Sequence, residues 1–117
     1  MHEILRELPN ANVKVYALWA PYLQTDSRAA AGRAAAYLSD SRASHFWDLW
    51  KFGSRVYADQ FNYPQHEAWD LFVLYRPGIL WQGEAPRPTT WFQHRDLPHG
   101  TPYTKAALRD ELLKMVR

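Results

Sequence analysis

Three histidines and three carboxylates fall in two short stretches and a loop of this 117-residue chain: His45 and Asp48 in HFWD, His66, Glu67 and Asp70 in HEAWD, and His94 in WFQH. Imidazole nitrogens and carboxylate oxygens are donors that zinc or a non-haem metal accepts. A His45–Asp pair is also the minimum for acid–base catalysis. None of the six shows a ligand spacing such as His-Glu-x-x-His, so the metal and enzyme readings stand as alternatives without a motif behind them. The chain contains no cysteine. That removes thiolate nucleophiles, disulfides, Fe–S ligation and Cys-based zinc sites together. No Gly-rich loop is placed to cradle phosphate, and no cofactor is expected.

Each candidate also has a plain structural reading. Asp48 precedes a helical pattern, where an aspartate serves as an N-cap. Asp70 opens a strand, a position Asp disfavours, so it either bonds a nearby N–H or serves a site. His45 lies two residues before Trp47 and on the same face of a regular strand; it is a hydrogen-bonded structural histidine or a ligand. Trp19, Trp47, Trp69 and Trp81 read as core and rim packing, or as the walls of an aromatic slot. His94, in a loop, reads as exposed. With 6 Trp, 7 Tyr and 5 Phe, some core or cleft must be strongly aromatic.

The elements that must position these residues follow from periodicity. Ile4, Leu5 and Leu8 make a short amphipathic turn stopped by Pro9. Val13 to Trp19 is apolar at nearly every position, the pattern of a central strand covered on both faces. Thr25, Asp26 and Ser27 can cap the alanine-rich helix SRAAAGRAAAYLS. A second strand, ASHFW, leads to Asp48 and a helix whose buried stripe is Leu49, Phe52, Gly53, Val56, Tyr57 and Phe61. Close packing would explain Gly32 and Gly53 inside these helices. WDLFVLY, then Arg76-Pro77-Gly78, then ILWQGE predict a hairpin of strands three and four. Residues 85–103 hold half of the eight prolines and read as a loop. Thr104 caps a last helix with Leu108 and Leu112 facing inward and an Asp110–Lys114 pair on its surface. The length suits one domain, with a mixed four-stranded sheet flanked by helices in the order β-α-β-α-β-β-α.

That order, with Trp19-Ala20-Pro21 ending the first strand, the hairpin LFVLYRPGILWQGE and the closing helix, resembles the thioredoxin-like fold over about residues 12–116. HFWD and AWD look like the cysteine-poor, thioredoxin-like proteins of bacteria. The resemblance implies a fold and no assigned activity. Two features of thioredoxins are missing: the Cys-Gly-Pro-Cys stretch, here Ala20-Pro21-Tyr22-Leu23, and the proline before strand three, here His66-Glu67-Ala68-Trp69. Dithiol oxidoreductase chemistry is excluded by the absence of sulfur nucleophiles.

In such a fold one sheet edge collects Trp19, Pro21, Tyr22, His45, Trp47, Asp48, His66, Glu67, Trp69 and Asp70, and a proline-rich cover brings Trp91, Phe92 and His94 over it. Ligands of open α/β sheets bind at that edge. The expected function is a non-redox binding module that takes a protein segment or a small ligand there. A dimer through the exposed face of strand four at Leu80 is a further arrangement. The N-terminus of the first long helix with Arg28 is a weak anion site, because Asp26 competes. Net charge is +2 with 14 basic and 12 acidic residues interleaved, and a solvated helix face explains Arg28, Arg33 and Arg42 better than a stacking platform for nucleic acid. No run reaches the roughly 18–20 apolar residues of a membrane span, so no membrane partner is expected. The N-terminus lacks the pattern of a secretory leader, and the expected location is cytoplasmic, or periplasmic if a leader was trimmed.

Overall fold

The last five residues of the first apolar run fold as strand β1 (Val15–Trp19), which pairs in parallel with β2 (Ala43–Trp47), in the register Val15↔Ala43 to Trp19↔Trp47. The computed structural model describes residues 1–21, 27–63, 67–68, 70–93 and 101–116. The chain divides into two compact units, Met1–Gly53 and Ser54–Arg117.

In the first unit, α1 (His2–Glu7) is only six residues long, too short to persist alone. Ile4 and Leu5 are fully buried. A helix end leaves carbonyls unpaired, and Arg42 answers them here. Its Nη1 donates to the carbonyls of Leu8 (2.6 Å) and Ala11 (3.2 Å), and its Nη2 to that of Leu5 (2.8 Å). The same guanidinium grips Asp40, Nε to Oδ1 at 2.9 Å and Nη2 to Oδ2 at 2.7 Å. This bond, helped by the Arg42 backbone N–H on Oδ1, lowers the Asp40 carboxyl from the ordinary 3.8 to about 2. Arg42 is therefore an internal staple between chain segments, and the expected solvated helix face does not apply to it.

Helix α2 (Arg28–Ala35) begins at Ser27, whose Oγ accepts the Ala30 N–H at 3.0 Å, and tightens into a 3-10 turn at Ala36–Leu38. The other two expected caps, Thr25 and Asp26, lie outside the described residues. Small alanine side chains let α2 approach β2. Gly32 is exposed and nothing stands within 4 Å of a Cβ built on it, so close packing does not explain it.

The division between the units falls in the first turn of α3 (Phe52–Gln60). This helix ends at Asn62, in the left-handed region (φ 56°), with the Tyr63 N–H returning to the Ala58 carbonyl at 2.9 Å, a closing turn that satisfies a helix-end carbonyl. Tyr57, Ala58, Phe61, Tyr63 and Ala68 form the core of the second unit, with Leu71, Val73, Tyr75 and Trp91 packed on it. Its sheet runs β3 (Leu71–Leu74), β4 (Thr90–Gln93), β5 (Thr101–Pro102); β3 and β4 are antiparallel, β4 and β5 parallel. Helix α4 (Lys105–Met115) is capped by Thr104 Oγ1 on the Ala107 N–H at 3.0 Å and buries Leu108 and Leu112.

The mixed α/β character holds, as does the parallel pairing of the first two strands. The described strands form a two-stranded and a three-stranded sheet instead of one sheet of four. The expected fourth strand, ILWQGE, is a turn segment with one isolated bridge, Gln82↔Glu84, and Gly78 and Gly83 at φ 89° and 75°. TWFQ, inside the presumed loop, takes its place beside β3. Its Phe92 and Gln93 are buried, whereas Ile79, Leu80 and Trp81 are exposed. The stripe assigned from Leu49 onward also shifts. The helix starts at Phe52, so Leu49 and Phe52 fall on the outside while Tyr57 and Phe61 remain buried. β1 is covered on one face only, with Tyr16 and Leu18 exposed. On α4, Lys114 pairs with Glu111 at 2.8 Å, three residues away, and Asp110 lies 3.7 Å from Arg109.

Candidate functional site at the ends of the parallel strands

Parallel strands bring their C-terminal ends to one side, and here those ends are Trp19 and Trp47, directly opposite in register. The Asp48 N–H closes the ladder on the Trp19 carbonyl at 2.6 Å. Ala17 opposes His45, so the His45 ring stands near the Trp19 indole. The Trp19 Nε1–H donates to His45 Nδ1 at 3.0 Å, and the rings stack at 6.1 Å with 22° between planes. An indole nitrogen only donates, so Nδ1 must accept and carry no proton. The ring's hydrogen then sits on Nε2, 3.0 Å from the Leu38 carbonyl, to which it donates. His45 is thus held as the Nε2–H tautomer between β1 and the end of the 3-10 turn, with both nitrogens engaged.

Asp48 is equally occupied. Oδ1 accepts the Phe52 N–H at 3.0 Å and Oδ2 the Gly53 N–H at 2.9 Å. The chain reaches this geometry by turning through Lys51, whose φ of 57° is left-handed, with the Lys51 N–H on the Asp48 carbonyl at 3.1 Å. A carboxylate at a helix N-terminus satisfies orphan donors and the helix dipole together. The capping reading of Asp48 describes what its oxygens do. A Cβ at Gly53 would lie 3.5 Å from Asp48 Oδ2 and 3.7 Å from Leu18, ordinary contact distances, so close packing does not demand a glycine there.

The remaining candidates are distributed as follows. Pro21 is half-buried just beyond β1, and Trp47 is half-buried. Tyr22, His66, Trp69 and His94 lie outside the described residues. Asp70 is exposed at the entrance to β3 with φ 54°. Trp91 is a strand residue paired with Val73 and stacked on Phe61 (4.1 Å, 8°), so with Phe92 it belongs to the packing of the second unit and not to a loop cover. Among the described residues no three His, Asp or Glu side chains gather as a metal site.

What the sequence did not single out is the segment after β2. Leu49 (53% exposed), Trp50 (65%) and Phe52 (62%) present large apolar side chains to solvent within one turn of the chain. No local signal marked it: an N-cap at Asp48 would bond the N–H of residue 50 or 51 and start the helix at Leu49, whereas its oxygens reach on to Phe52 and Gly53 and leave the intervening residues outside the helix.

Two further polar clusters are structural. In the second unit Tyr75 Oη donates to the Pro86 carbonyl at 3.0 Å and so accepts from Tyr57 Oη at 2.8 Å. Burial raises both hydroxyl pKa values; the bond to Tyr75 raises that of Tyr57 further and works against the rise at Tyr75. Gln60 Nε2 donates to the Ala85 carbonyl at 2.8 Å beside them. In the first unit an open hollow of about 570 Å³ is lined by Leu5, Arg6, Pro9, Asp40, Ser41 and Arg42. All five guanidinium N–H groups of Arg42 are already used, which leaves the hollow without a free donor from that group.

Compared with family models, curated proteins and solved structures, the chain matches none.

Proposed function

We propose that this chain is a non-redox binding module, and that an apolar segment of another protein docks at the C-terminal ends of β1 and β2, against Trp50 and Leu49 beside Trp19, Pro21 and Trp47. The observation that carries the reading is the exposure of Leu49 and Trp50 beside two polar side chains, His45 and Asp48, that are both committed to the fold. Exposed apolar clusters rimmed by polar groups mark interaction surfaces, and Trp is among the side chains that supply most binding energy at an interface. Ligands also favour the carboxyl ends of parallel strands. The parallel β1–β2 pair joined through α2, and the Trp-Ala-Pro ending of β1, are what support a thioredoxin-like scaffold stripped of its sulfur chemistry.

The His and carboxylate readings have less behind them. Both ring nitrogens of His45 are engaged within the fold, both Asp48 oxygens accept backbone N–H groups, and among the described residues no three His, Asp or Glu side chains gather as a metal site. The binding reading is tested by panning a random-peptide phage library on the protein, with an excess of soluble Trp50→Ala protein as competitor. Enrichment of apolar, aromatic-containing peptides that the competitor fails to displace is expected. An unenriched library, or peptides displaced equally well by the variant, would contradict it.

A further inference from the structure

We draw no further inference here: the strongest candidate, the face of the β1–β2 sheet that carries Tyr16, Leu18 and Phe46, is apolar and exposed, but nothing in the structure shows what covers it.

Discussion

The indole N–H of Trp19 decides the chemical state of His45. Because a donor faces Nδ1, the imidazole works as a link in a chain from β1 to the Leu38 carbonyl, and its lone pair is spent inside the protein. The expected outcome in ¹⁵N-resolved NMR is an unprotonated Nδ1 and a protonated Nε2 for His45. The opposite tautomer would break the assignment. His45→Ala removes an acceptor and a donor at once, leaving two part-buried groups unmet, and should cost about 1–3 kcal/mol of stability in a denaturant titration. Asp40 gives a second residue-scale prediction. Its folded pKa, held by Arg42, lies near 2, below the ordinary 3.8. A depressed carboxylate pKa contributes stability that is present above the unfolded value and lost as pH falls through the folded one. Acid titration should therefore show a loss between about pH 4 and pH 2 that is absent in Asp40→Asn. The residue-scale features differ in how visible they were. Capping by Asp48 and Thr104 acts over a few residues and could be read from the sequence. The Trp19–His45 bond joins residues 26 apart, and Arg42 reaches back more than 30 residues to α1; only the fold makes such partners neighbours.

At the scale of elements, α3 shows how one side chain sets a phase. Its start at Phe52 depends on the two Asp48 bonds, so Asp48→Ala should cost about 1 kcal/mol, a fall of about 4 °C in Tm for a chain of this size. Asp48→Asn, which also caps well, should recover most of it. The Tyr57–Tyr75–Pro86 chain ties α3 to the segment after β3 and predicts an asymmetry. Tyr57→Phe deletes one donor and should cost about 1 kcal/mol, while Tyr75→Phe takes the acceptor from the Tyr57 hydroxyl and leaves the Pro86 carbonyl with only the long 3.4 Å bond from Gln60 Nε2, and should cost about 2 kcal/mol. Both tyrosines have folded pKa values raised above 10.0. Stability from them is complete below pH 10 and lost above it, so alkaline unfolding should begin there and shift in the double Phe variant. Equal losses in the two single variants would contradict the bond directions. The same scale explains the misplaced strand. ILWQGE and TWFQ are both apolar enough to pair with β3, and Gly78, Gly83 and the prolines at 86 and 88 bear on both. Which one pairs is a long-range choice between competitors, invisible to local periodicity.

For the molecule as a whole, absence of cysteine rules out dithiol chemistry, and among the described residues no helix is long and apolar enough to cross a membrane. The conspicuous polar side chains at the strand ends are occupied by folding: His45 by a ring-to-ring bond, Asp48 by a cap. Among the described residues after β2, the aliphatic and aromatic side chains of Leu49, Trp50 and Phe52 face outward. That division between a committed polar set and a free apolar set is the central claim, and equilibrium binding of the phage-selected peptides to the protein and to Trp50→Ala, with melting of both, tests it most directly. Because Trp50 is mostly exposed, its removal should change Tm by no more than about 2 °C. If it anchors the interface, Kd should rise by about 30-fold, the equivalent of about 2 kcal/mol. An unchanged Kd, or a Kd that rises only in step with a collapse in Tm, would show that the exposed aromatics are not a binding surface.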